Sequence, residues 1–510
     1  MNKRLVITFC LLLIVVLAGC SSSNSTDGKN NNQVTGERTE TATKAPKTKD
    51  GEKPVLRQLM PYNRFNPNNY VVADFIRETT GYEVKYDMLP VENADEKLNL
   101  LMANQEPYDF IKISPGQFSH LALSGALEPL DELIEQYGTN MKQVIGEDSW
   151  RGAMMDGQIF AIPESSPSGL TVGYGLIYRQ DWLEELQLQP PTTLEELVHV
   201  LREVKEKKQV IPLSGGKDPF QGEIGAALGW MYGVGNQFKV VDDQITHMVD
   251  DPKTIEYLTF MNKLYTEGLL DPEWAINQSN ILIERFSSGQ SFMYRDGWWN
   301  AANITNALTS NYPDAKIGIL PPMQDVDGKR GASATGGIEN FVAIPKWSTN
   351  KEETIKYLDM KFEEETFKTL AIGEEGKHHS VEDGKYFPIL PIFEEELNFA
   401  SDMLTGIDEQ RYPTYWQARV RKNPHVQHFF ETLQKNGEGI MYHDALTFAP
   451  PLPDVSKHMP KLVKFMEDEF IKFITGAEPI SNYDNFLQQW RADGGTEMLQ
   501  AANDWYTSAK

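Results

Sequence analysis

The sequence predicts an α/β protein built in two lobes. From Lys53 to Ile113 the pattern runs strand, helix, strand, helix, strand. That alternation implies a parallel sheet with right-handed crossovers. Beyond residue 53 the chain continues for about 455 residues, more than a single core of usual size serves, so two lobes are expected.

The chain begins with a targeting segment. Lys3 and Arg4 precede an apolar run of about 14 residues, Leu5 to Ala18, which suits a signal peptide and is short for a membrane-spanning helix. The run ends in Leu17-Ala18-Gly19-Cys20, which resembles the lipobox of bacterial lipoproteins. The resemblance implies cleavage before Cys20 and a lipid on its thiol; an ordinary secretory signal would leave that thiol free. Cys10 and Cys20 are the only cysteines, and Cys10 falls inside the signal, so the mature chain has no disulfide and relies on its core. Residues 21 to about 53 are Ser, Asn, Thr, Lys and Gly with almost no large apolar side chain, a composition suited to a flexible tether.

The folded part starts with a strand over Lys53–Pro61, a loop Tyr62–Pro67, and a helix Tyr70–Thr79 stopped by Gly81. A strand over Tyr82–Leu89, a helix Ala94–Ala103 and a strand Tyr108–Ile113 follow. In open sheets of this kind ligands sit beyond the carboxyl ends of the strands, which points Tyr62, Arg64 and the Ser114–Gln117 turn toward a cleft; a plain solvated loop is the other reading of Tyr62 and Arg64. Asp156-Gly157 marks a hairpin. Gly175–Arg179 is a strand entering a helix at Asp181, and Thr193 with Glu196 is a capping-box pattern. After Ile211-Pro212-Leu213 come Asp218 and Phe220, then Trp230, which suits core or cleft equally.

The segment Ile281–Ile304 carries a helix end at Gly289, a strand Ser291–Tyr294, a turn at Asp296-Gly297, and two adjacent tryptophans, Trp298 and Trp299. Adjacent side chains face differently, so one tryptophan can pack inward while the other stands in a cleft. A cleft tryptophan offers a broad apolar face to the C–H face of a pyranose. Both can equally be ordinary packing residues.

The blocks SGALEPLDELI, DGQIFAIPE, LIYRQDWLEELQLQPPTTLEEL, LYTEGLLDPE, YLDMKF, IGEEGKHH and DNFLQQWRADGG occur in an order that resembles the large lipoprotein branch of the family 1 extracellular solute-binding proteins, from about residue 54 to 507. That family includes maltose-binding protein. The resemblance implies the two-lobed periplasmic-binding-protein fold of the type II class, with a hinge between the lobes. It divides the chain into 54–173 plus about 337–445 for lobe 1 and 174–336 plus about 446–510 for lobe 2. It places Gly336 and Gly337 at a lobe crossing, where paired glycines absorb rotation. It also implies a substrate-binding component of an ATP-driven ABC importer, holding an oligosaccharide and docking on permease subunits. The pattern of Phe286, Gly289, Met293, Gly297 and Trp299 resembles the family's segment whose tryptophan stacks on sugar, and Ser214–Phe220 resembles one that presents an acid and an aromatic, which implies a stacking role for Trp299 and sugar contacts for Asp218 and Phe220. Glu164, Trp298 and Trp230, with Tyr62, Arg64 and Ser114 from the strand ends, complete the candidate ligand residues. Without the resemblance, Asp218 reads as a turn residue capping the helix near Gln221.

Many members of the branch carry an EF-hand-like calcium loop before the Ile-Pro-Leu strand. Here Lys205, Lys207 and Lys208 lead directly into it and the alternating oxygen ligands are missing, so no calcium is expected there. His425 and His428 share a helical face and His443 lies nearby in sequence, but a zinc site needs more, and no metal or cofactor is expected. The formal charge of −25, or −27 without Lys3 and Arg4, argues against nucleic acid. There is no nucleophile elbow, HExxH, phosphate loop or CxxC. A glycosidase's two carboxylates need not be close in sequence, yet no spacing selects a pair. The expected protein is therefore a monomeric, lipid-anchored receptor at the outer face of the cell membrane and not an enzyme. A peptide or other solute in the same cleft, or an adhesin or folding factor on the same fold, stays open on the sequence alone.

Overall fold

Alternation along Ile338–Ala343 sets out the first lobe. Phe341 and Ala343 face one apolar layer, Val342 and then Ile344 the opposite one, and all four are buried. A strand apolar on both faces belongs inside a sheet with helices on either side. It does so here. The computed structural model describes residues 53–508 apart from 167–168, 217–224 and the side chains of 226 and 227. In it, the first sheet runs in the order Val84–Met88, Leu56–Met60, Phe110–Ile113, Ile338–Ala343, Ala161–Ser165. Its first three strands are parallel, and Ile338–Ala343 runs antiparallel to both neighbours.

The second sheet has the order Ile317–Ile319, Tyr174–Arg179, Ser291–Gly297, Ile211–Leu213. Its larger core collects Leu176, Tyr178, Leu213 and Phe292 together with Leu462, Met466, Phe470 and Trp490 from the closing helices. Those helices, Pro453–Thr475 onward, cover the second lobe as the sequence suggests. Among the described residues no helix is long and apolar enough to cross a membrane.

Local sequence signals explain most element ends. Gly81 and Gly289 close helices with φ of +70° and +76°. Asp156 and Gly157, at φ +51° and +77°, form the hairpin between Met154–Met155 and Gln158–Ile159. Thr193 caps its helix by accepting from Glu196 N, while the Glu196 carboxylate reaches back to Thr192 N and Oγ1, one residue further than a capping box requires. The helix Leu194–Lys208 ends on Gln209 in the left-handed region, and the strand opens two residues later at Ile211.

Two expectations change. Asp296 and Gly297 are the last residues of a strand, not a turn, because they pair with Gly175 and Tyr174. The helix Pro424–Gly437, expected in lobe 1, packs on the second lobe instead. Its Phe429 joins Ile177, Leu282, Phe286 and Tyr294, and its Leu433 meets Val172 and Ala332. An apolar stripe of Phe429, Phe430 and Leu433 must find an uncovered sheet face, and the second lobe supplies it.

Three crossing segments lie side by side between the lobes. Thr171 and Thr335 exchange backbone hydrogen bonds of 3.0 and 2.7 Å, and Ser166 N donates to Gly337 O at 2.8 Å. Ala332 and Ser333 pair in parallel with Met441 and Tyr442. Gly336 and Gly337 stand at φ +132° and +99°; a Cβ would meet Gly169 O at 2.7 Å or Thr447 Cγ2 at 2.7 Å. Both positions demand glycine.

Candidate functional site

The strand Ser291–Gly297 delivers the tryptophans into a single 3-10 turn, Trp298–Asn300. Asp296 shapes that turn: its Oδ1 accepts from Gly297 N at 2.7 Å and from Asn300 Nδ2 at 2.8 Å. Burial pushes the Asp296 carboxyl above its ordinary range, and these donors pull it back. The turn then splits the two indoles. Trp298 packs edge-on against Trp416 at 5.3 Å and Phe430 at 5.4 Å, inside an aromatic cluster. Trp299 is 45% exposed and meets Tyr174 edge-on at 4.8 Å, its ring lying over Gly297, where a Cβ would come within 2.4 Å of Cζ2. Trp299 is the one that presents a free aromatic surface.

Tyr174 carries the site inward. The Arg295 guanidinium stacks on its ring at 4.2 Å. Both residues line a cavity of about 460 Å³ with Gln237, Phe238, Ser333, Thr335, Asp444 and Met459. Asp444 is held there by two backbone donors, accepting from Phe238 N of a distant strand at 2.8 Å and from Leu446 N at 2.9 Å, and burial raises its carboxyl. Two more cavities share the crossing segments. One of about 380 Å³ lies among Ser149, Ser166, Gly337, Glu409 and His443. Another, of about 280 Å³, lies among Pro115, Ser119, Ile338, Thr447 and Ser456. Ser119 and Ser456 approach to 3.4 Å across it, linking a lobe 1 helix to the closing helix of lobe 2.

The remaining candidates separate. Trp230 stacks on Tyr442 at 4.1 Å with the rings 23° apart, and both line a smaller cavity behind Tyr174. Tyr62 is 51% exposed and Arg64 is exposed beside it, on a loop fixed by Phe65 stacking on Phe399 at 5.2 Å. Ser114 forms the capping box of Pro115–Leu123, exchanging hydrogen bonds with Gln117. Glu164 is corrected: it is 4% exposed, with Lys112 Nζ 2.9 and 2.7 Å from its two carboxylate oxygens, and it lines none of the crossing cavities just described. Lys112 points into the sheet's covered face, and its charge needs a buried partner. Asp218, Phe220 and Cys20 lie outside the described residues.

Sequence reasoning missed Tyr174, Arg295, Thr335 and Tyr442. For Arg295 the signal was present, since a cation three residues before Trp298 in a strand lies one pleat from the tryptophan turn. The others depend on which crossings pair, which no local pattern reveals. Among the described residues no three of His, Cys, Asp and Glu gather to hold a metal ion. His425 and His428 lie on the helix Pro424–Gly437, and His443 Nδ1 rests 3.0 Å from Asp444 O.

Two sheet-centred lobes, three adjoining crossings and aromatic-lined cavities along them define a hinged solute-binding protein. Residues 71–374 match the bacterial extracellular solute-binding proteins, and the chain belongs to that family. It is 50% identical over 255 residues to an uncharacterized protein of Niallia circulans, covering half of this chain and all of that one. It is 23% identical to lipoprotein LipO of Bacillus subtilis over 98% of this chain and 97% of that one. It is 22% identical to the polygalacturonan/rhamnogalacturonan-binding protein YtcQ of the same organism, over the whole of both. Among solved structures, alginate-binding protein AlgQ2 superposes with a TM-score of 0.67 at 20% identity, over 89% of this chain and 98% of that one. The HMO binding ABC-transporter associated solute binding protein of Bifidobacterium longum infantis gives 0.68 at 16% identity, over 90% and 99%.

Proposed function

We propose that this chain is the substrate-binding lipoprotein of an ABC importer, that it closes its lobes on an oligosaccharide, and that it hands the sugar to a permease. The observation that carries the reading is Trp299. A tryptophan left 45% exposed on a short turn and braced by Tyr174, which itself lines the crossing cavity, stands outside the core and suits the apolar face of a sugar ring. The relatives named for binding polygalacturonan, rhamnogalacturonan and alginate support a carbohydrate ligand, and the lipoprotein relative supports an anchor on Cys20 after signal cleavage. On this reading Tyr174 and Arg295 join Trp299 on lobe 2, Asp218 and Phe220 approach from their loop, and Tyr62, Arg64 and the Ser114 turn stand on lobe 1. Gly336 and Gly337 form the hinge. The receptor acts as a monomer, uses no cofactor and catalyses nothing, which agrees with membership in a family of binding proteins.

The test is titration of the chain from Ser21 onward with oligogalacturonides, fructooligosaccharides and short peptides. Oligosaccharide binding is expected, and Trp299→Ala should weaken it by roughly 30-fold or more, the effect of losing a central aromatic anchor. The unfolding midpoint of that variant should stay put, because the ring is exposed. Unchanged affinity removes Trp299 from the site, and binding of peptides alone rejects the sugar.

A further inference from the structure

Behind Tyr174 lies a cavity of about 80 Å³ that the reading so far does not use. Its walls are the stacked pair Trp230 and Tyr442, the start of the strand at Tyr174–Leu176, the Leu320–Met323 segment, and Leu433 and Asn436 on the helix above. It shares Tyr174, Arg295 and Ser333 with the larger cavity, so its mouth is there. Gly331 is pressed against the indole: a Cβ at that position would stand 1.9 Å from Trp230 Cζ2. The aromatic wall is thus seated by close packing.

The same lining holds hydrogen-bond donors without acceptors. Trp230 Nε1 and Asn436 Nδ2 are both buried and have no protein partner. Buried donors left unpaired are disfavoured, and native structures usually match them with water or ligand. A purely structural stack of Trp230 on Tyr442 would need neither donor. An aromatic wall combined with spare donors is the pairing that a sugar ring uses, its C–H face on the π surface and its hydroxyls on the N–H groups.

Size limits what enters. At about 10–15 Å³ per water, a cavity of about 80 Å³ holds roughly six waters, and at about 30 Å³ of liquid volume each these match the bulk of one hexose residue and not two. We propose that this cavity is a terminal subsite that takes the last ring of the oligosaccharide, so that the receptor grips its ligand by one end and leads the remaining rings past Arg295 and Tyr174 to Trp299. The inference rests on the sugar reading above and adds to it the mode of recognition: a free chain end is required.

The experiment uses the chain from Ser21 onward and oligogalacturonides and fructooligosaccharides in three forms: unmodified, capped at the reducing end with a bulky aminobenzoyl group, and capped at the opposite end. One capped form is expected to bind at least 100-fold more weakly than the unmodified sugar, and the other to bind within a few-fold of it. Trp230→Phe, which keeps a smaller aromatic face and removes the N–H, and Asn436→Ala should each weaken the unmodified sugar by about tenfold. Neither should change affinity for the form whose buried end is blocked. Tolerance of caps at both ends, or wild-type affinity in both variants, overturns the terminal subsite while leaving the sugar reading intact. Absence of binding of every oligosaccharide to the wild-type chain overturns both. Should Trp230→Phe alter folding, its unfolding midpoint shows it, and Asn436→Ala with the capped ligands still decides.

Discussion

At the scale of single residues, the lesson lies in what buried charges do. Lys112 and Glu164 form a pair inside lobe 1, and Lys361, 3% exposed, donates to Met403 O at 2.7 Å nearby. Burial, aided by the charge of Lys112 and opposed by Glu164, pushes Lys361 down to about 7. The fold therefore prefers the neutral amine. Between pH 7 and the ordinary value of 10.5 the unfolded chain holds a proton that the folded chain lacks, so stability rises with pH across that window. Below pH 7 the penalty is complete, up to a few kcal/mol. Lys361→Met should thus help most at pH 6 and progressively less toward pH 10, as read from urea unfolding at a series of pH values. A difference between variant and wild type that does not vary with pH would show that Lys361 stays charged throughout. Glu164 illustrates why residue roles resist sequence reading. Its block showed a hairpin at Asp156-Gly157, but only the sheet order puts Lys112 two strands away, with Val342 between.

At the scale of elements, the crossing segments matter most. The carboxamide of Gln434 grips the first of them from both sides, accepting from Val172 N and donating to Val172 O, each at 3.0 Å. That clamp ties residue 172 to the helix Pro424–Gly437, so the hinge proposed at Gly336-Gly337 would bend together with the stretch before Thr171. Gly337→Ala should be doubly unfavourable, since φ is +99° and a Cβ would press on Thr447. A loss of about 1–3 kcal/mol is expected from denaturant unfolding. Ligand affinity should fall as well if closure passes through this residue; a destabilised variant with unchanged affinity would place the rotation elsewhere. Most elements were legible in advance: the β-α-β-α-β start, the hairpin at Asp156-Gly157, and the helix ends at Gly81 and Gly289 all follow local rules. The strand end at Asp296-Gly297 was not, because a turn-forming dipeptide yields to the cross-strand partners Tyr174 and Gly175 that only the tertiary fold provides. The helix Pro424–Gly437 was misassigned for a related reason, as its apolar stripe states that it packs and not on which lobe.

At the scale of the whole molecule, size and the order of family-resembling blocks were enough to expect two lobes and a cleft, while the inner wall of the cleft was not visible. Trp299 could be singled out because it stands in a dense local pattern. Tyr174, Thr335 and Tyr442 come from three separate crossings and meet only in space. If both lobes grip one ligand, binding should stabilise them together. A sugar at about 100 times its dissociation constant should raise stability by about 2.7 kcal/mol and move a single thermal transition. Solution scattering should show contraction in the same sample. A shift without contraction would mean that the ligand rests on one lobe.

The strand Ile338–Ala343 sits between Phe110–Ile113 and Ala161–Ser165 in the first sheet. A chain that emerges amino end first therefore presents those two strands with bare facing edges until the missing one arrives about 170 residues later, a long-range closure that is inherently slow. Unpaired edges are sticky. While the chain is being made its early half is thus a half-finished sheet with a gap at its centre, which the late half must thread back into before a neighbouring chain fills it.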